Sequence, residues 1–167
     1  MTDHVKAFRL ALENAWNSPD PSTQNGAIIM NREGTHILGA GCNEFPYDVE
    51  VTPERLERPL KYSFIEHAER NAIFNSGALV EGDEMYALWA ACADCARAII
   101  QCGIKTVHTH SFYVGGDMDS LNRKNWGESI EVAFTMFEEA GVEVVFHDEQ
   151  IMRTGEWLLY NGEPVRY

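Results

Sequence analysis

His67-Ala68-Glu69, followed 23 residues after its Glu by Cys92-Ala93-Asp94-Cys95, constrains the fold of this chain more than any other feature. One imidazole and a close pair of thiols can ligate a single zinc ion, but only if the fold brings residue 67 against residues 92 and 95. Three protein ligands leave the fourth tetrahedral position open to water, which separates catalytic zinc sites from structural ones. Glu69, two residues past the His, can stand beside the metal without binding it.

The surrounding patterns supply a way to meet that constraint. The periodicity predicts a helix over 64–75 stopped by Ser76-Gly77, and another over 92–102 stopped by Gly103. Both ligand groups then fall near helix starts, where free N–H groups and the positive dipole end favour thiolate. A buried strand over Glu84 to Trp89 delivers the chain into the Cys turn. Elsewhere the pattern predicts a helix over 3–17 and a hairpin of strands 26–30 and 36–40 turning at Asn31-Arg32-Glu33-Gly34. A strand over 104–108, a helix over 126–140 and a strand over 142–147 complete the order. Hairpin first, then alternating helix and strand, predicts an α/β domain with helices on both faces of one sheet, the crossover part largely parallel. Residues 44–63 carry three prolines and no clean period, and read as a functional loop with one helical turn near 54–57. The tail over 156–167 reads as an added edge strand or an interface segment. No repeat or linker divides 1–167, so a single domain with a C-terminal extension from about 151 is expected.

Charge narrows the partners. Thirteen Lys+Arg against 26 Asp+Glu give a net charge of -13, and no basic run reaches three residues. Polynucleotide binding draws much of its affinity from phosphate contacts, so a long nucleic acid is an unfavoured ligand. One phosphate can still be held by one or two placed cations. The apolar runs are too short and too interrupted for a membrane span, and the first residues lack a signal-peptide pattern. The expected location is cytoplasmic. Four cysteines do not make a disulfide framework there.

Zinc makes water acidic enough to attack near neutral pH, and Glu69 can take the water's proton and return it to a ring nitrogen and then to a departing amine. Hydrolytic removal of an amino group from a heteroaromatic ring suits such a site. A lone Cys-x-x-Cys also serves structural zinc and redox chemistry; the joint presence of His67, Glu69 and a strand-then-helix setting favours catalysis. Cys42 and Cys102 read as core or loop thiols. His108 and His110 end a strand and either line the site or pack ordinarily, while His4, His36 and His147 read as surface residues.

The zinc motif matches the His-x-Glu…Pro-Cys-x-x-Cys signature of zinc deaminases except that Ala91 stands in place of Pro. The chain as a whole resembles the deoxycytidylate (dCMP) deaminases of the cytidine deaminase-like superfamily. The resemblance runs through Gln24-Asn25-Gly26-Ala27-Ile28-Ile29, Gly39-Ala40-Gly41-Cys42-Asn43 (Cys42 replacing a Tyr), the segment from His67 to Ile73, that from Cys92 to Lys105, and that from Glu138 to Val144. It covers roughly 24–145. It implies a three-layer α/β/α sandwich with a mixed five-stranded sheet, one catalytic zinc held by His67, Cys92 and Cys95, and Glu69 as proton shuttle. It further implies deamination of dCMP to dUMP, with Asn43 bonding the sugar and the Ala68 backbone N–H holding the pyrimidine carbonyl. A homo-oligomer, a hexamer in this family, and dCTP and dTTP as effectors are part of the same implication. Glu44 and Asp48 depart from the family's Gly-rich nucleotide loop. The 44–66 loop has no Cys or His for the extra structural zinc of some relatives.

Substrate choice is less constrained than chemistry. Lys61, Arg55 and Arg58 in the long loop, and Arg123, Lys124 and Trp126 further on, are the candidate donors to a monophosphate, with Tyr113 placed to cover the base or reach the phosphate; each charged residue is equally readable as a solvated surface side chain. The alternatives to dCMP are a cytosine nucleoside or another aminated heterocycle, a polynucleotide, which the acidic balance opposes, or a non-catalytic zinc or nucleotide-binding role, in which Glu69 would have no evident use.

Overall fold

The computed structural model describes residues 3–77, 80–110 and 120–166, the side chains of 120–125 excepted. The chain order is α1 (His4–Ala15), β1 (Gly26–Met30), β2 (Ile37–Cys42), a 3-10 turn (Glu54–Leu56), α2 (Lys61–Phe64), α3 (Ala68–Asn75), β3 (Glu84–Ala87), α4 (Ala93–Gln101), β4 (Thr106–His110), α5 (Ser120–Ala140), β5 (Glu143–His147), β6 (Leu158–Tyr160) and β7 (Glu163–Val165). Strands β2-β1-β3-β4-β5 form one mixed sheet. The β1–β2 and β1–β3 pairs are antiparallel, and β3, β4 and β5 run parallel. This is the three-layer, five-stranded arrangement expected from the sequence and its resemblance.

Strand alternation sends neighbouring side chains to opposite cores. Ile29, Met85, Ala87 and Val107 pack with α3, α4 and α5 on one face. Ile28, Met30, Tyr86 and Leu88 pack with Ala7, Phe8, Ala11 and Leu12 of α1, and with Ile151, Met152 and Leu158 of the tail, on the other. Each fully buried Leu or Ile here contributes about 1.5–3 kcal/mol relative to exposure. Two glycines set how closely the helices approach. A Cβ on Gly41 would meet Ala72 N at 2.6 Å, and one on Gly26 would meet Ala11 O at 2.0 Å. Gly41 therefore lets α3 lie directly on β2, which fixes where the start of α3 falls.

Several expectations need correction. The helix expected over 64–75 is two helices, because the chain turns extended at Ile65 and His67 before α3 begins. Leu158–Tyr160 and Glu163–Val165 do not join the main sheet; they pair as a separate hairpin. That hairpin is stitched to residues 22–24 by Gln24 N–H to Leu159 O (2.9 Å) and Gly162 N–H to Ser22 O (2.7 Å). His147 is buried and His4 half-buried, contrary to their reading as surface residues. Alternation in β5 turns His147 to the face that α1 covers, where Phe8 packs edge-on against it at 5.2 Å. His108 and His110 face the same way and pack against Tyr86 and Phe8, respectively. His36 is exposed, as expected.

Candidate active site

His67 is the N-cap of α3 and Cys92 the N-cap of α4, each with extended backbone and no side-chain cap bond. An ordinary N-cap side chain accepts from its own helix; these two side chains turn towards each other instead. Ser129 Oγ of α5 takes over the capping role at α4, accepting from Ala93 N–H at 3.0 Å. The α3 start is held from behind: Glu66 accepts from the His67 N–H at 3.0 Å and pairs with Arg70 one turn on.

His67 Nδ1 lies 3.5 Å from Cys92 Sγ and 3.4 Å from Cys95 Sγ, and the two sulfurs are 3.6 Å apart. Zinc bonds of about 2.3 Å to sulfur and about 2.0–2.1 Å to nitrogen, arranged tetrahedrally, require separations of about 3.6–3.8 Å. The trio therefore fits a zinc ion with little movement, and the ligand types are those zinc takes. A sulfur–sulfur separation of 3.6 Å is also no disulfide, and all four cysteines are free. The local electrostatics favour ligation. The Cys92 thiol is drawn down to about 4 by the Cys95 hydrogen bond, against burial and with further help from His67. Cys95 is pushed up by the same bond and by burial.

Glu69 sits in the first turn of α3, 2% exposed. Burial pushes its carboxyl up, partly opposed by His67. Asn25 Nδ2, from the residue leading into β1, lies 3.5 Å from Glu69 Oε2. A buried carboxyl with a raised affinity for protons, beside a metal-ligand set, is suited to proton transfer.

His67, Glu69 and Cys92 open into one pocket, which Asn43, Trp126, Lys61 and Arg58 also line. The indole of Trp126 stands edge-on to the His67 ring at 5.5 Å and to Tyr62 at 5.9 Å. Asn43 is buried; its Nδ2 donates to Thr23 O (2.8 Å) and Asp20 Oδ2 (3.3 Å), and its Oδ1 accepts from Asn25 N–H (2.7 Å). Both its N–H groups are thus engaged, leaving it as an acceptor towards the pocket. Ala68, fully buried, opens α3, where backbone N–H groups lack intrahelical partners. Arg58 reaches Ser22 Oγ and Asn161 Oδ1, both at 2.8 Å, two neutral acceptors. Arg55 turns away, donating to Glu50 O and lying over Phe64. Tyr113 and the side chains of Arg123 and Lys124 lie outside the described residues.

Sequence reasoning missed part of this wall. Asp20 accepts from Ser22 N–H, Thr23 N–H and Lys61 Nζ and so shapes the 20–25 loop beneath the pocket. Tyr160 stacks on Trp89 with centroids 4.5 Å apart, and both line the pocket together with Asn161. Asp20 finds its partner Lys61 41 residues away, a separation that no local pattern spans. The tail carried no motif.

Residues 1–111 match the zinc-binding region of cytidine and deoxycytidylate deaminases. An uncharacterized deaminase encoded in the luxG 3' region of Aliivibrio fischeri is 37% identical over 147 residues, covering 87% of this chain and 94% of that protein. The deoxycytidylate deaminase of Mus musculus is 43% identical over 105 residues, 59% of this chain; the match spans 58% of the mouse protein. Among solved structures, the apo dCMP deaminase of cyanophage S-TIM5 superposes with a TM-score of 0.62 over 88% of this chain and 100% of its own, at 22% identity, which is a likeness of fold.

Proposed function

From the premise that this chain belongs to the cytidine and deoxycytidylate deaminase family, we propose that it hydrolyses dCMP to dUMP and ammonia. The observation that carries the reading is Glu69, buried in the pocket into which His67 and Cys92, two of the three grouped donors His67, Cys92 and Cys95, also open. Relatives named deoxycytidylate deaminase support dCMP as the substrate.

In this reading His67, Cys92 and Cys95 hold zinc, and the bound ion supplies the Lewis acidity that makes water nucleophilic at neutral pH. Glu69 accepts the proton of the water that attacks the ring carbon bearing the amine. The same carboxyl then delivers that proton to the adjacent ring nitrogen, takes the remaining proton from the hydroxyl now on the ring carbon, and passes it to the amine as the C–N bond breaks and the carbonyl forms. Burial raises the proton affinity of Glu69, which suits a group that must act as base and then as acid. Asn25 stands near one carboxylate oxygen, so the other is the oxygen left to face the substrate. The N–H of Ala68 holds the pyrimidine carbonyl, and Oδ1 of Asn43 accepts from a sugar hydroxyl. Trp126 and Tyr62 wall in the base. Arg58, bonded to the neutral acceptors Ser22 Oγ and Asn161 Oδ1, is the donor to the phosphate. Lys61 is instead engaged by Asp20.

Reduced Cys92 and Cys95 are required as ligands, which fits a cytoplasmic location. No helix among the described residues is long and apolar enough to cross a membrane. Assembly into a homo-oligomer, a hexamer on the family resemblance, belongs to the same proposal and is supported by exposed Phe74 on α3 and Tyr47 in the long loop. Regulation by dCTP and dTTP rests on the resemblance alone.

Steady-state rates on dCMP, CMP, deoxycytidine and dCTP test the substrate. The reading expects the highest kcat/KM on dCMP; a clear preference for the nucleoside overturns it.

A further inference from the structure

Three histidines on the sheet face opposite the proposed zinc site lie close enough to share a ligand. His4 opens α1, His108 lies in β4 and His147 ends β5, and one ring nitrogen of each is within 4.8 Å of the others. His108 is 4% exposed and His147 7%. Three imidazoles converging from one helix and two strands are not needed for the deaminase chemistry, since none of them lines its pocket.

The outer partners of the rings decide what the inner nitrogens present. Tyr86 OH donates to Glu84 Oε2 at 3.1 Å, so at 2.9 Å from His4 Nδ1 it accepts from that nitrogen. His4 then carries its proton on Nδ1 and keeps a lone pair on Nε2. His147 Nδ1 faces Glu149 Oε2 at 3.4 Å. Among the described residues His108 Nε2 has no hydrogen-bond partner, and the Glu84 carboxylate stands 3.5 Å away, within a small side-chain shift of accepting from it. Carboxylates behind the outer nitrogens are the usual supports of metal-binding histidines, because they fix the tautomer and make the inner nitrogen more basic. His108 Nδ1 and His147 Nε2 lie 2.9 Å apart, so without an ion they share one proton in a hydrogen bond, and an ion that displaces this proton binds both nitrogens.

We propose that His4, His108 and His147 form a second metal site, for a first-row divalent transition ion such as zinc or nickel. Imidazole nitrogens suit these ions, and hard ions such as magnesium and calcium prefer oxygen. Metal–nitrogen bonds of about 2.0–2.1 Å place neighbouring ligand nitrogens about 3.0–3.4 Å apart, close to the spacing His108 and His147 already have. His4, half-buried at the first position of α1, is the ligand that closes in. The ion would pin the N-terminal helix to the two strands at the β4–β5 side of the sheet, a structural role independent of turnover at the Cys92 site.

The test titrates the zinc-loaded full chain with Ni2+, reading affinity by calorimetry and the retained ions by elemental analysis after gel filtration. The proposal expects one ion beyond the zinc, with zinc retained and no thiolate-to-metal charge-transfer band. His4→Gln, which leaves the buried core intact, should weaken that binding about tenfold or more, and His108→Asn should abolish it. Absence of any ion beyond the zinc, unchanged affinity in His4→Gln, or a charge-transfer band placing nickel on the cysteines overturns it. The first of these results would leave a plain hydrogen bond between His108 and His147 as the account of their contact.

Discussion

Lys61 Nζ lies 2.7 Å from Asp20 Oδ2, and both side chains are only 4% exposed. Neither group can be read as a surface charge. The pair ties α2 to the turn after α1, and Asp20 Oδ1 also accepts from the Ser22 and Thr23 backbone. Removing one partner strands a buried charge on the other, at a cost of about 3–5 kcal/mol. Asp20→Asn is therefore expected to lower unfolding free energy by about that amount in urea denaturation, whereas exposed Glu13→Gln should change it by less than about 0.5 kcal/mol. Equal, small effects from both would show that the Asp20–Lys61 pair holds nothing in place.

Cys92→Ser is expected to lose the zinc of the proposed catalytic site and to become measurably less stable, because metal binding and folding draw on the same free energy. Elemental analysis and a thermal melt check it together. A variant that keeps its full zinc content would show that Cys92 is not a ligand.

Arg58 divides binding from chemistry. Charge-assisted bonds contribute about 1.5–3 kcal/mol, so Arg58→Ala should raise KM for dCMP about 10–100-fold. The KM for deoxycytidine should hardly move. Equal effects on nucleotide and nucleoside would assign Arg58 to holding Ser22 and Asn161 alone.

The tail should loosen in acid. Glu156 bonds Arg9 of α1 and the Arg153 N–H, and these contacts, Arg9 first, hold its carboxyl below the usual range. A carboxyl depressed in the folded state lends stability that is complete above the unfolded pKa of about 4.3 and is lost as pH falls below it. Wild type should then be more stable than Glu156→Gln near neutral pH, with the gap closing as pH falls through about 4. A gap that persists in acid would contradict the assignment.

The sequence revealed what depends on short spacing. The strands, the helix starts and the convergence of residue 67 on residues 92 and 95 follow from local periodicity, turn residues and ligand chemistry. What it concealed depends on long-range packing. Tyr160 and Asn161 reach the pocket only because the tail hairpin pairs with residues 22–24, and no local pattern encodes that pairing. The break between α2 and α3 was hidden because Ile65 and Glu66 are compatible with a continuous helix. His147 read as a surface residue because its burial is decided by α1, at the far end of the chain.

Glu69 carries the proposed chemistry. The decisive measurement is ammonia release from dCMP by wild type and Glu69→Gln at matched zinc content. Loss of the proton shuttle should cut kcat about 10²–10⁴-fold while His67, Cys92 and Cys95 keep their ion. A variant that retains zinc and turns dCMP over within a few-fold of wild type would contradict the assigned chemistry.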